Sequence, residues 1–350
     1  MEDVTDTIFR QLIRRWSLAA TGESSAGPQV MFTEFTRVDG AIHTAAARAT
    51  GRAGNGRLRY TEAERPLIAQ IWGTRPKEFL LAASAIEELG FDGIDLNMGC
   101  PVKKIRRAGA CSALIGNPSL AAEIIAACRE GSRLPLSIKT RIGLDRPRTE
   151  EWCGFLLEQR PDALTVHPRT ADQMSEGAAD WNEVGRVVAL RGPNSPTVIL
   201  GNGDIADFTQ GRRLAAQSGA DGFMVGRGIF ADPLLFIDPH QPAEPELRFP
   251  NTPQRLRYLV EHIEAFTTFW GDRRNYEVLK KFFRNYVLPD ETLLERLYAT
   301  ASAPEALAVL AEAGVSTAQR VTDASRGGPG LARSRTVDTS TAHQSGNSGA

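Results

Sequence analysis

Residues 91–101 read FDGIDLNMGCP, a short apolar run ending in Asn97 and then a glycine and a proline on either side of a cysteine, Cys100. The run is too short for a helix, is bounded by turn formers and reads as a buried strand that delivers Cys100 to its end. Working outward, the same kind of run recurs at VMFTEF (30–35), LIAQIW (67–72), LSIKT (136–140), ALTVH (163–167), TVILGN (197–202) and GFMVG (222–226). Amphipathic helical patterns, among them 76–89, 119–129 and 209–218, separate most of them. Alternation of this kind predicts βα units around a parallel sheet covered on both faces. The expected fold class is α/β, a (β/α)8 TIM-type barrel. Seven of its strands are visible, and the first would have to precede the opening MEDVTDTIFR. Either that strand is absent from this chain, through a start placed too late, or the sheet is open on that side.

The barrel is expected over 1–245. Beyond it only helical patterns remain, at 252–270, 276–288, 291–300 and 303–314, which predicts a small all-helical domain over 246–316. Residues 317–350 are rich in Ser, Thr, Gly and Ala, cannot bury enough apolar surface to offset their ordering entropy, and are expected to be disordered.

Composition narrows the function. The 350 residues are 42% hydrophobic and 24% charged, with a formal net charge of −1, so a uniformly basic nucleic-acid binder is excluded and any RNA contact must come from patches. Four cysteines, Cys100, Cys111, Cys128 and Cys153, show no C-x-x-C pair, so neither a disulfide framework nor a metal site is expected. No signal peptide opens the chain and no apolar run approaches the roughly 20 residues needed to span a bilayer, which predicts a cytoplasmic protein without a membrane partner.

A parallel barrel builds its active site at the carboxyl ends of its strands. Those ends carry Glu34, Gln70, Asn97 with Cys100, Lys139 with Arg141, His167 with Arg169, Asn202-Gly203-Asp204 and Gly226-Arg227. The loops GNGDI (201–205) and GRGIF (226–230) place glycines and an arginine where barrel enzymes grip phosphate, since glycine lets backbone N–H groups approach an anion. The same glycines also suit tight turns. GRAGNG (51–56) and GNG (201–203) do not make a dinucleotide fingerprint, GNPS (116–119) reads as a turn and helix N-cap with Pro118 before Ser119, and no hydrolase elbow is present. Two basic patches stand out: KKIRR (103–107), with Lys103 and Lys104, and NYEVLKKFFRNYVL (275–288). In the second, Val278, Leu279, Phe282, Phe283, Tyr286 and Val287 form one face, and Lys280, Lys281 and Arg284 gather on the other.

GFDGIDLNMGCPVKKIRRAGACSALIGNP, LSIKTRIGLD, LTVHPRT, VILGNGDI and DGFMVGRG, in this order over about residues 1–290, resemble the tRNA-dihydrouridine synthase family. The opening VTDTIFR resembles the end of that family's APM-x-x-VTD-x-x-FR segment. The resemblance implies an FMN-dependent enzyme, reduced by NADPH or NADH, that saturates the C5–C6 bond of particular uridines in tRNA, with no DNA partner, acting as a monomer. It implies that Gln70, Lys139, His167, Asn202, Gly203, Asp204, Gly226 and Arg227 bind the cofactor. Cys100 would protonate C5 as a general acid near its ordinary pKa of about 8.5, not as an activated nucleophile. Asn97 would meet the uracil edge, Arg141 and Arg169 uracil or the RNA backbone, and Lys103, Lys104, Lys280, Lys281 and Arg284 tRNA phosphates. Cys111, Cys128 and Cys153 are read as packing. Two rivals stay open: a flavin barrel that reduces a free pyrimidine or an enoate, and a flavin-free relative that only binds tRNA.

Overall fold

The computed structural model describes residues 1–315 apart from 51, 53, 55 and 241–251. The strands are β1 (Met31–Phe32), β2 (Thr36–Arg37), β3 (Leu67–Trp72), β4 (Gly93–Met98), β5 (Leu136–Arg141), β6 (Ala163–His167), β7 (Val198–Asn202) and β8 (Gly222–Met224). All pair in parallel in the order β1, β3, β4, β5, β6, β7, β8, with β2 also on β3. Among the described residues β1 and β8 do not pair with each other, so the sheet is an open, barrel-like wall. The run expected as one strand at 30–35 is split: the Thr33 N–H bonds to Ile68 O, but Thr33 Oγ1 then turns to accept from Gln70 N, and the chain leaves the ladder before rejoining it at Thr36.

Helices α2 (Val38–Ala49), α3 (Pro76–Glu88), α5 (Pro118–Gly131), α7 (Trp181–Leu190) and α8 (Phe208–Ser218) pack outside the sheet. Short helices α4 (Lys103–Arg107), α6 (Gly154–Glu158) and α9 (Gly228–Ala231) lie in the connections. Their ends follow local chemistry. The cap of α5 is Asn117, inside the GNPS stretch read as a turn and helix N-cap; its side chain accepts from Leu120 N at 3.2 Å and Pro118 is the first helical residue. Asp207 caps α8 in the same way, and Gly219 ends it at φ +71°, a left-handed conformation that glycine adopts without a Cβ penalty.

At the ends of the chain, α1 (Thr7–Thr21) packs on α10 (Thr252–Trp270) and α11 (Lys280–Val287), with α12 (Glu291–Ala299) and α13 (Ala303–Glu312) beyond. Phe9 lies 4.9 Å from Phe282 between ring centroids, Trp16 meets the edge of Tyr258 at 4.6 Å, and Trp270 donates to Asp6 at 2.7 Å. The helices expected after residue 250 are therefore present, but they do not enclose a core of their own: α1, from the first expected domain, completes it. The expected boundary at 245/246 and the tail 317–350 lie outside the described residues. Among the described residues no helix is long and apolar enough to cross a membrane.

Candidate active site

Strand register brings the expected residues to one edge. Gln70 on β3 stands opposite Asp95 on β4, Asn97 opposite Lys139 on β5, and Arg141 opposite His167 on β6. Side chains extend this ladder. Gln70 Nε2 donates to Asp95 at 2.7 Å and Asn97 Nδ2 donates to Gln70 Oε1 at 3.0 Å. Asp95 is fully buried, and burial raises its carboxyl to about 6 against the opposing pull of Ser137, Gln70 and Lys139.

Asn97 Oδ1 accepts from the backbone N–H of Gly99 and of Cys100, at 3.2 and 3.0 Å, and so folds the loop that carries the thiol. From the other side Ser112 Oγ donates to Cys100 O at 2.8 Å. Cys100 is half-buried, with the buried Cys111 thiol and Val102 N–H beside it. With Arg141 nearby, these lower its pKa to about 7, the Cys111 thiol being the largest cause. The Cys100 thiol, expected near its ordinary value, is thus lowered, and Cys111, expected as packing, is fully buried beside it. The same interaction, reinforced by burial, pushes the Cys111 thiol in the opposite direction and keeps it neutral.

Beyond Cys100 the edge turns cationic. Lys139 Nζ donates to Asn202 Oδ1 at 2.8 Å, and Asn202 Nδ2 donates to Met224 O at 2.8 Å, tying β5 to β7 and β8. Desolvation lowers the Lys139 ammonium to about 8, with Arg141 acting in the same sense. Arg141 donates to Gly99 O and Thr170 O at 2.9 and 2.8 Å, holding two loops at once. His167 lies among Lys139, Arg141, Arg169 and Arg227, and burial together with these four charges keeps its imidazole neutral, down to about 2. Arg169 Nη1 approaches His167 Nε2 at 3.1 Å, which assigns that ring nitrogen as the acceptor. Asp204, at φ +54°, takes Arg169 in a two-oxygen contact and accepts from Ala179 N at 2.7 Å.

Gly203 sits at φ +131°, and a Cβ there would lie 2.9 Å from Ala179 Cβ and 3.0 Å from the His167 ring. Only glycine fits. Arg227 is exposed at the start of α9, and its side chain makes no hydrogen bond or ion pair among the described residues.

The family model described as dihydrouridine synthase (Dus) matches residues 1–318. The chain belongs to the dihydrouridine synthase family. It is 37% identical over 318 residues to a Staphylococcus aureus (strain COL) protein named "Probable tRNA-dihydrouridine synthase", covering 89% of this chain and 90% of that one. It is 38% identical over 291 residues to "Probable tRNA-dihydrouridine synthase 2" of Bacillus subtilis (strain 168), covering 82% and 83%. A solved structure of morphinone reductase in complex with tetrahydroNAD aligns at TM-score 0.43 and 14% identity, over 67% of this chain and 81% of that one.

Within this dihydrouridine synthase, Gln70, Asn97, Cys100, Lys139, Arg141, His167, Arg169, Asn202, Gly203 and Asp204 come together as one rim, and Gly226-Arg227 adjoins it. The Asn97 amide is engaged by Gln70 and the Cys100 loop. Arg169 is only 2% exposed and approaches His167. Asp204 is the counter-charge of Arg169. Lys103 and Lys104 are exposed on α4, close to Cys100. Lys280 and Lys281 are partly spent, on Glu277 at 2.7 Å and Asp3 at 3.2 Å; Arg284 remains exposed.

The sequence reading missed Arg59 and Arg273, whose guanidinium groups stack on the Phe269 ring at 6.0 and 5.8 Å from its centroid and face no carboxylate among the described residues. It also missed Arg274, which binds Asp3, Asp6 and the fully buried Glu34 at 3.3, 3.1 and 2.8 Å. For Arg273 and Arg274 the doubled charge at RR (273–274) was the available signal.

Proposed function

We propose that this protein is an FMN-dependent tRNA-dihydrouridine synthase that uses NADPH or NADH to reduce the C5–C6 bond of uridines in tRNA, with Cys100 as the proton donor. The observation that carries the reading is the placement of one half-buried, acidified thiol on the same strand edge as four cations around a neutral histidine. Family membership and the names of the two relatives support the same substrate class.

The residues fit the cofactor. Gly203 lets the backbone of the β7 loop run close against His167, where no side chain fits, Arg227 offers an exposed guanidinium with no partner among the described residues, and GNGDI and GRGIF flank them. Lys139 and Asn202, joined to each other, would meet the polar edge of the ring system, where positive charge favours the reduced, anionic flavin. Gln70 would meet it from the β3 side. When bound, FMN would supply the hydride for uracil C6. The chain then manages the proton: Cys100 gives its S–H proton to C5, and the resulting thiolate is stabilised by Cys111 S–H, Val102 N–H and Arg141. His167, neutral throughout the working pH range, serves as a hydrogen-bonding partner rather than a charge. Asn97 keeps the Cys100 loop closed over the site. Lys103, Lys104, Arg59, Arg273 and Arg284 would hold phosphates of a tRNA whose target base has left its stack. Turnover of unmodified tRNA to dihydrouridine-containing tRNA by the flavin-loaded chain, read by mass spectrometry of the nucleosides, tests the proposal; conversion of free pyrimidines in place of tRNA contradicts it.

A further inference from the structure

Asp95 lies in the middle of β4, and register places it between Gln70 on β3 and Ser137 on β5. It is a carboxyl group with no exposure, set between the apolar Ile94 and Leu96. Such a group is costly to bury unless its oxygens are matched, and here both are. Ser137 Oγ donates to Oδ1 at 2.6 Å and Gln70 Nε2 donates to Oδ2 at 2.7 Å. On the far side of Gln70, its Oε1 accepts from Asn97 Nδ2 at 3.0 Å, and Asn97 Oδ1 accepts from the backbone N–H groups of Gly99 and Cys100. One unbroken chain of hydrogen bonds thus joins a buried carboxyl to the loop that carries the rim thiol.

We propose that Asp95 is a positioning residue: it fixes which way the Gln70 and Asn97 amides point and through them holds the Cys100 loop. The reason is polarity. An amide has an acceptor at one end and donors at the other, so each of the two could sit either way round. The carboxyl accepts from Gln70 and so turns Oε1 toward Asn97. Asn97 meets that oxygen with Nδ2 and turns Oδ1 to the loop, whose two N–H groups can only donate. Flipping Gln70 would set donor against donor at Asn97, and flipping both would set the Asn97 amine against the loop. Without the carboxyl, the Gln70 amine is buried with no acceptor, so the amide turns away and Asn97 loses the partner that steadies it. Lys139, opposite Asn97 on β5, also acts on Asp95, but through charge; the polarity of the chain needs only an acceptor oxygen. The inference rests on the proposed function solely in taking this loop to carry the proton donor.

Hydrogen exchange on the full chain, read by NMR at the Gly99 and Cys100 N–H groups, tests this without flavin or tRNA. Asp95→Leu, close in shape, removes the acceptor. Exchange at both groups should quicken about tenfold or more, while β7 (Val198–Asn202), which Asp95 does not adjoin, stays as in wild type. Asp95→Asn removes the charge but keeps an oxygen for Gln70, its amine facing Ser137 Oγ, which can accept; here the loop should exchange as in wild type. Gln70→Met cuts the chain with Asp95 in place and should quicken the same two groups, which gives the reading if the Leu variant does not fold. Unchanged exchange at Gly99 and Cys100 in whichever of these two variants folds overturns the proposal. So does an Asn variant that quickens as much as Leu, since that assigns the effect to charge, and so does a quickening shared equally by β7, since that marks a general loss of packing. A loop that loosens as expected in a protein that fails to reduce tRNA upholds the positioning role and refutes only the substrate.

Discussion

A general acid works only while it holds its proton. With Cys100 titrating at about 7, the fraction able to protonate C5 falls as pH rises through neutrality. Turnover should therefore show a descending limb with a midpoint near that value, and His167, already neutral, should add no ascending limb near its ordinary pKa. A rate independent of pH across this range would contradict the assignment. Cys100→Ala should lower turnover by about 10²–10⁴-fold while leaving flavin content unchanged, measured by absorbance of the purified variant. At this scale the sequence shows which side chains reach the rim, because strand ends in a parallel sheet face one edge and Gln70, Asn97, Lys139 and His167 sit at strand ends. It does not show what each one holds. Asn97 turns inward because two backbone N–H groups of its own loop lie within reach. Cys111 is placed beside Cys100 by a left-handed turn that no apolar pattern announces.

Elements are held together here by a few buried charges. Arg274, just beyond α10, bridges Asp3, Asp6 and Glu34, and Glu34 has no exposure at all. Removing the cation leaves a buried carboxylate unpaired, so Arg274→Met should destabilise the fold by about 3–5 kcal/mol in a denaturant titration, whereas a surface arginine such as Arg212 should cost under about 1 kcal/mol. The loop after β7 is equally specific. Gly203→Ala places a methyl against Ala179 and His167 at a left-handed backbone position, so the purified variant should carry markedly less flavin and also melt below wild type. Strand positions follow from apolar runs, so most were legible to within a residue. The last strand stops two residues short, at Met224, and the run 30–35 breaks where Thr33 and Glu34 answer partners on β3 and beyond α10, which are long-range pairings invisible in a local window.

For the molecule as a whole, RNA binding without net positive charge requires cations that are not already neutralised. Arg273 faces no carboxylate among the described residues, while Lys281 is paired with Asp3. Arg273→Glu should weaken tRNA binding and reduce the slope of log affinity against log salt by about one for each phosphate left without its cation; Lys281→Ala should change it less. The shared core of α1, α10 and α11 contains His262, fully buried and held neutral, down to about 3, by desolvation. The unfolded chain binds that proton at its ordinary value of about 6.5, so this core loses stability as pH falls from there toward 3. His262→Leu should flatten that part of the stability–pH curve, and an unchanged slope would place the acid sensitivity elsewhere. The helices of this region were readable from periodicity alone. That they share a core with the first helix was not, because the pairing of Phe9 with Phe282 and of Trp16 with Tyr258 spans nearly the whole chain.

The central claim joins a flavin, a reductant, tRNA and one thiol in a single site, and one spectroscopic experiment addresses all four. The chain loaded with FMN is reduced anaerobically by NADPH, and its visible absorbance is followed on addition of unmodified tRNA. The account predicts that the flavin bleaches with NADPH, that its colour returns with tRNA, and that in Cys100→Ala the return is slowed by orders of magnitude. A chain that binds no flavin, or a reduced flavin that free pyrimidine reoxidises and tRNA does not, would contradict it.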